Sequence, residues 1–430
     1  MASVNFSEGF TPDQLAALLA TMWESGVTVT EVIGDGPDTI TLADEAGDAI
    51  VISGQFEFDE EQELHGTLTQ IAILQASAVV VTVTDFNDFD AHAIVDGLET
   101  ALDSSGAGPG ELHDLFELLG ADSIETEGSD DDDEVDGDDG DDDLGGGAGD
   151  DDINGGSGDD HLHGDQGDDD LCGDEGDDRL DGGSGDDTAD YSLEAGTDGV
   201  RANLKKNTAI DTWGTHDRFK SIENLSGSVN DDMLTGDNKG NVVEGNEGAD
   251  GIKGLNGDDT LDGGLGDDVL SGGNGKDDLS GSDGDDDLSG GNGKDDLDGG
   301  LDDDVLKGGN GKDVLDGGEG SDILIGGRGR DTFLFSDPLS GPDTIMDFRS
   351  HVDRIAIDFN AGAGEDLESD DFFLSTDLSG LTTGQAALIY DRDTGVLSYD
   401  ADGLDGNDAV ELAHLKPGTM LSKTDFDFVG

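Results

Sequence analysis

The sequence predicts an all-β fold dominated by a solenoid of short stacked strands, with a small α+β module before it and a β cap after it. Glycine and aspartate recur with a nine-residue period over residues 128–190 and 227–335, and a large apolar residue usually holds the eighth place. The chain also carries a formal net charge of −88, from 19 basic and 107 acidic residues, with only 5% aromatic residues. A chain of this composition stays unfolded unless a partner neutralises it.

The repeated nonapeptide has the consensus G-G-x-G-x-D-x-U-x, where U is apolar, as in GGNGKDDLS at residues 272–280. Glycines at the first, second and fourth places are predicted to adopt positive φ, which allows a tight turn. The last three places are predicted to form a minimal strand whose eighth residue points inward. Stacked repeats then bury a continuous apolar ladder. Its members in the second block are Leu261, Leu270, Leu279, Leu288, Leu297, Leu306, Leu315 and Leu324.

The stacking of acidic residues predicts a cation. If two nonapeptides make one coil, Asp268, Asp286 and Asp304 lie above one another at roughly the 4.8 Å spacing between strands. Adjacent carboxylates at about 5 Å repel by roughly 1 kcal/mol in water and by several times more near a protein surface. Calcium fits best, because it binds six to eight oxygens and tolerates irregular geometry. Magnesium keeps its water too strongly, and zinc prefers nitrogen or sulfur ligands.

These nonapeptides resemble the RTX repeat, the hemolysin-type calcium-binding repeat of secreted bacterial proteins. The resemblance implies a right-handed parallel β-roll (β-solenoid) in which two repeats make one turn. It also implies that place-six aspartates and turn carbonyls hold calcium between turns, on the order of ten to fifteen ions in all. The candidate metal ligands are Asp142, Asp151, Asp160, Asp169, Asp178, Asp187, Asp232, Asp250, Asp259, Asp268, Asp277, Asp286, Asp295, Asp304, Asp313, Asp322 and Asp331.

Some repeats depart from the consensus. Asn241 replaces the place-six aspartate and Lys239 the place-four glycine of one repeat, so calcium is not expected at that turn. Asp302 replaces a place-four glycine and is expected to distort its turn. Asp131 also stands where glycine belongs, so the first repeat is expected to be frayed.

Residues 1–127 have the composition of a small α+β module and match no catalytic family that we recognise. An amino-terminal helix is predicted from Thr11, Pro12 and the apolar face that follows them. Two further helices are predicted at Ala91–Leu102 and Glu111–Leu119. The predicted strands are Val27–Ile33, Thr39–Leu42, Ala49–Phe58 and Leu68–Thr84.

Residues 191–226 interrupt the period and hold several of the few cations. The insert is 36 residues long, four times nine, so we expect strands that continue the stack rather than a separate ligand-binding loop. Residues 336–430 are expected to be a β cap, since aromatic content rises there. This segment is similar to the carboxyl-terminal region of serralysin-type and related RTX proteins, which carries an uncleaved type I secretion signal; the alternative for its tail is an ordinary last strand.

Sequence features exclude several other functions. No histidine begins an H-E-x-x-H zinc-protease motif, and no nucleophile elbow or phosphate-binding loop is present. His161 and His163 project to one face, but two ligands are too few for a soft-metal site, so a solvated surface pair is favoured. Cys172 is predicted to be a spare thiol on the outer surface, without a disulfide.

The predicted function is calcium-dependent folding outside the cell, with a structural, adhesive or surface-interaction role. The amino end lacks the features of an ordinary signal peptide, so export would need another address. The resemblance to serralysin-type and related RTX proteins implies that the type I secretion machinery is the partner. The charge disfavours nucleic acid and anionic membranes, and the apolar run Ile71–Val83 is too short to span a bilayer. The competing hypothesis is a secreted hydrolase or lyase with an unrecognised active site in residues 2–127.

Overall fold

The computed structural model describes residues 28–32, 38–43, 49–58, 64–75, 78–83, 124–128, 131–137, 140–337, 340–358, 372–374, 386–401 and 409–428. The chain forms two compact units. The first contains Met1–Tyr191 and Asn207–Ile222, and the second contains Ser192–Lys206 and Glu223–Gly430. Within the described residues, no helix has the length and apolar character needed to cross a bilayer.

The first unit joins an antiparallel sheet to a parallel roll. Strands β1 to β6 pair in sequence as antiparallel neighbours. Strand β6 then pairs in parallel with β8, and the sheet continues in parallel through β10, β12 and β14. A second parallel sheet contains β7, β9, β11 and β13. The strands are β1 (Thr28–Val32), β2 (Asp38–Ala43), β3 (Ala49–Phe58), β4 (Leu64–Gln75), β5 (Ala78–Val83), β6 (Ile124–Glu127), β7 (Glu134–Asp136), β8 (Asp143–Ala148), β9 (Asp152–Asn154), β10 (His161–Gln166), β11 (Asp170–Cys172), β12 (Arg179–Ser184), β13 (Thr188–Asp190) and β14 (Arg218–Lys220).

One strand prediction in the amino-terminal module is wrong. Leu68–Thr84 was expected to be one strand, but it contains most of β4 and all of β5, which pair with each other as antiparallel strands. Seventeen extended residues exceed the usual strand length, so folding back lets both halves hydrogen-bond. The three helices predicted in this module lie outside the described residues.

The second unit contains two largely parallel sheets. Paired residues on neighbouring strands of these sheets are usually 18 apart in sequence, as in Leu270↔Leu288. A 3-10 helix at Leu204–Lys206 precedes them, and another at Lys423–Asp425 precedes the last strand. The strands are β15 (Asn224–Ser226), β16 (Met233–Thr235), β17 (Val242–Glu244), β18 (Gly251–Asn256), β19 (Thr260–Leu265), β20 (Val269–Gly275), β21 (Asp278–Asp283), β22 (Asp287–Gly293), β23 (Asp296–Leu301), β24 (Val305–Gly311), β25 (Val314–Glu319), β26 (Ile323–Gly329), β27 (Thr332–Phe335), β28 (Asp343–Ile345), β29 (Arg354–Ile357), β30 (Phe372–Leu374), β31 (Ala387–Asp391), β32 (Val396–Asp400), β33 (Val410–Leu415) and β34 (Phe426–Phe428).

The predicted apolar ladder is confirmed. Leu261 through Leu324 are each at most 1% exposed, and each lies beside the leucine 18 residues away. The strands are longer than predicted, since β20 runs from the seventh place of one repeat to the fourth place of the next. The segment predicted to be a β cap contains strands β28 to β34, and β31 and β32 form an antiparallel hairpin.

The predicted role of the place-one glycines is wrong. Positive φ occurs at places two and four, for example at Gly273 and Gly275, but at none of the described place-one glycines. Place one needs glycine because a side chain there has no room. An added Cβ on Gly281 would lie 2.1 Å from Asp286 Oδ2 and 2.5 Å from the Gly299 carbonyl oxygen.

We expect Gly281→Ala to destabilise the calcium-loaded protein by about 1–3 kcal/mol, because its methyl group displaces oxygen atoms of the turn. Gly251→Ala is a matched control, since its nearest neighbour to the added Cβ is a carbonyl oxygen 3.8 Å away. Urea unfolding followed by circular dichroism measures both variants. Equal midpoints for the two variants would contradict this explanation.

Candidate metal centre

The place-six aspartates form buried columns joined by hydrogen bonds between coils. The backbone N–H of Asp250 donates to Asp268 Oδ1 at 2.7 Å, and that of Asp268 donates to Asp286 Oδ1 at 2.7 Å. Asp286 continues the column to Asp304 at 2.8 Å. These three carboxylates were predicted to lie above one another, and the hydrogen bonds show that they do.

The second oxygen of most of these carboxylates is buried and accepts no hydrogen bond from the protein. Such an atom costs about 1–3 kcal/mol, and more when it is charged, so its presence in most turns indicates a ligand. Each Oδ2 lies 2.1–2.7 Å from the position that a Cβ would take on the place-one glycine of its own repeat. The residues with this oxygen are Asp151, Asp160, Asp169, Asp178, Asp250, Asp259, Asp268, Asp277, Asp286, Asp295, Asp304, Asp313 and Asp322.

Backbone carbonyl oxygens also lie close to the place-one glycines, beside the buried Oδ2 atoms. An added Cβ on Gly245 would lie 2.4 Å from Asp250 Oδ2 and 2.4 Å from the Gly263 carbonyl oxygen. Gly299 has the same arrangement, with Asp304 Oδ2 at 2.3 Å and the Gly317 carbonyl oxygen at 2.4 Å. Carboxylate and carbonyl oxygens together are the donor set of calcium, so the residues present fit this ion.

The columns are electrostatically strained without a cation. Burial, opposed by the backbone hydrogen bond and reinforced by neighbouring carboxylates, raises the pKa of Asp286 to about 7 and that of Asp304 to about 8. The pKa of Asp178 rises to about 9, again mainly through burial, with Asp217 and Asp160 adding to the shift. A bound calcium ion would supply the positive charge that balances these carboxylates.

At one end of a column, the chain itself supplies a cation. Arg349 Nη2 donates to Asp331 Oδ2 at 3.1 Å, to Asp353 Oδ1 at 2.8 Å and to the Gly329 carbonyl oxygen at 2.9 Å. The guanidinium therefore contacts two carboxylates and a turn carbonyl, the same groups that the other turns present. Asp331, a predicted calcium ligand, is neutralised here by Arg349.

At Asp232 and Asn241, too, other groups of the protein hydrogen-bond to the polar side-chain atoms. Asp232 Oδ2 accepts the Ser228 N–H at 2.6 Å, and Oδ1 accepts the Val200 N–H at 2.7 Å. Asn241 Nδ2 donates to the Glu223 carbonyl oxygen at 2.7 Å, as a neutral substitute for aspartate.

Sequence reasoning missed three aspartates that extend the columns beyond the regular repeats. Asp217 Oδ1 accepts the Asp178 N–H, Asp343 Oδ1 accepts the Asp322 N–H, and Asp353 Oδ1 accepts the Asp331 N–H, each at 3.2 Å. Each begins an aspartate–any–apolar triplet, namely DRF, DTI and DRI, which matches places six to eight of the repeat. That triplet could have identified them without the glycines.

Asp302 has φ +73°, whereas the place-four glycines with positive φ have values between +128° and +157°, so the backbone at Asp302 differs from that of the regular turns. The prediction for Cys172 needs correction. Cys172 is buried, not on the outer surface. Its thiol hydrogen-bonds to Asp174, whose own φ of +57° turns the chain there.

The RTX resemblance is confirmed by comparison with known families. The family model described as an RTX calcium-binding nonapeptide repeat, in four copies, matches residues 145–180, 154–189, 235–270, 271–306 and 298–333. These stretches coincide with the coils that bear the buried Oδ2 atoms. No curated protein matches the chain significantly. The chain therefore contains RTX calcium-binding nonapeptide repeats over residues 145–189 and 235–333.

Proposed function

We propose that this is a secreted protein whose repeats fold when they bind extracellular calcium. The main support is the set of buried Oδ2 atoms, among the described place-six aspartates, that accept no hydrogen bond from the protein. The proposed ligands are the place-six aspartates that bear those atoms, with Asp142 and Asp187 completing the first block and the neighbouring place-one carbonyls supplying further oxygens. Asp232 and Asp331 remain in the proposed set as weaker ligands, because protein groups already occupy their oxygens.

Calcium binding and folding are coupled in this proposal. Where free calcium is low, repulsion among the carboxylates opposes coil formation and leaves an extended chain suited to a secretion channel. Where calcium is abundant, its binding free energy becomes folding free energy. If one ion binds between each pair of successive turns on the same side of the roll, the chain binds on the order of ten to fifteen ions.

The proposed export route is type I secretion, and the proposed role is structural, adhesive or surface-interacting. Family analogy supports both steps. Strand β34, in the segment proposed as the export signal, pairs in parallel with β29 and buries Phe426. A segment that is threaded first can therefore become part of the folded roll afterwards. The proposed domains are residues 1–127, 128–190, 191–226, 227–335 and 336–430.

A calcium titration of the full chain, followed by far-ultraviolet circular dichroism, tests the folding proposal. We expect little β structure in chelator and a cooperative gain of β structure at millimolar calcium. Magnesium at the same concentration is expected to act weakly, because it gives up its water reluctantly. A spectrum already rich in β structure in chelator, and unchanged by calcium, would contradict the proposal.

A further inference from the structure

A group of nitrogen and oxygen ligands lies on the outer face of the first unit, apart from the calcium columns. Neighbouring strands β8, β10 and β12 place Asp143, His161 and Arg179 in one cross-strand row. The next row on the same face contains Gly145, His163 and Asp181. Because Gly145 has no side chain, the space beside His163 is open toward Asp143.

The two histidines and Asp143 converge. His163 Nε2 lies 3.4 Å from Asp143 Oδ1, and the two imidazole rings pack edge to face with centroids 5.4 Å apart. One ligand atom from each of Asp143, His161 and His163 lies within 4.8 Å of the other two. A single ion can therefore contact all three after small side-chain rotations.

The other nitrogen of His163 faces a second carboxylate. His163 Nδ1 lies 3.8 Å from Asp181 Oδ2, and Lys220 Nζ donates to that same oxygen. When a carboxylate faces one ring nitrogen of a histidine, that nitrogen tends to carry the N–H. The other ring nitrogen then has a lone pair with which to bind a metal. Asp181 therefore has the position of a residue that orients His163.

His161 is also available as a ligand. Its Nε2 lies 3.2 Å from Arg179 Nη1. Because a guanidinium has no lone pair to accept a hydrogen bond, His161 Nε2 is the acceptor in this contact and carries a lone pair rather than a proton. Arg179 therefore competes with any cation for this nitrogen.

We propose that Asp143, His161 and His163 bind a divalent transition-metal ion of the zinc class, with Asp181 as a positioning residue. Two imidazoles and one carboxylate are a ligand set that zinc accepts at three positions while water takes the fourth. Calcium prefers oxygen ligands, so this site and the columns select different ions.

Titration of the calcium-saturated full chain with zinc tests the site, with cobalt as a spectroscopic probe of nitrogen ligation. A large calcium excess occupies the carboxylate sites. We expect one zinc ion per chain. His163→Gln should weaken binding at least about tenfold, and Asp181→Asn by about tenfold, the usual range for a lost second partner of a metal-bound histidine.

Two further variants separate this site from general attraction to an acidic surface. His216→Gln is the matched control, because His216 also lies beside a carboxylate, with Nδ1 4.0 Å from Asp177, yet has no histidine partner in the cluster. It should leave zinc affinity unchanged. Arg179→Gln should raise zinc affinity, since it removes the competing cation. Circular dichroism in calcium establishes that each variant is folded.

The absence of zinc binding in calcium excess would overturn the proposal, and so would equal losses from His163→Gln and His216→Gln. Cobalt spectra that show oxygen ligands alone would also overturn it.

Discussion

Replacing Asp268, Asp286 and Asp304 together by asparagine is expected to have opposite effects with and without calcium. In chelator, the substitution removes three adjacent buried carboxylates and should stabilise the roll by about 1–3 kcal/mol per site. In calcium, it removes the charged ligands and should cost about 2.7 kcal/mol for each ion lost at one hundred times its dissociation constant. The asparagine Oδ1 can keep the hydrogen bond between coils in both cases.

Circular dichroism at fixed calcium concentrations and urea unfolding together measure this reversal. The matched control replaces Asp267, Asp285 and Asp303, which occupy the adjacent place five. These side chains are exposed, and their Oδ1 atoms also accept backbone N–H groups 18 residues away. The control should change calcium dependence much less. If the two triple variants shift stability in the same direction and by the same amount, the columns are not the calcium sites.

Acidification in chelator is the second large effect, and it should promote folding. Burial raises the pKa of Asp268 to about 6, that of Asp286 to about 7 and that of Asp304 to about 8 in the ion-free roll. Unfolded aspartate has a pKa near 3.9. At pH values between the unfolded and the folded pKa, the folded state binds more protons than the unfolded state. The folded state is therefore most stable below the unfolded pKa, and it loses this stability as the pH rises through about 6 to 8.

Far-ultraviolet circular dichroism in chelator at about pH 5 and about pH 8 measures this effect. We expect more β structure at the lower pH, since protons partly replace calcium. Saturating calcium should greatly reduce the difference, because the carboxylates are then neutralised at both pH values. β structure that increases with pH in chelator would contradict the electrostatic account.

The sequence was sufficient to predict the coil and its core, because the nine-residue period keeps the same alignment over many repeats. A period of nine with one apolar place requires Leu270 and Leu288 to meet across coils, and they do. The aspartate columns follow from the same period. The period alone places Asp304 beside Asp286 on the next coil, and the hydrogen bond between them confirms it.

Other features depend on three-dimensional contacts that periodicity does not encode. Gly281 is required by the position of Asp286 Oδ2, a steric constraint that looks the same in sequence as a need for positive φ. Arg349 reaches Asp331 across 18 residues with no repeat around it. The zinc-class ligands come from two repeats, so Asp143 joins His161 and His163 only when the coil closes.

A crystal structure of the calcium-loaded full chain tests the central claim most directly. Calcium should appear between coils, 2.3–2.6 Å from the Oδ2 atoms of Asp268, Asp286 and Asp304, a range typical of calcium–oxygen bonds. Anomalous scattering would distinguish it from water. Carboxylates turned toward solvent, or spaces that hold only water in a folded roll, would contradict the claim.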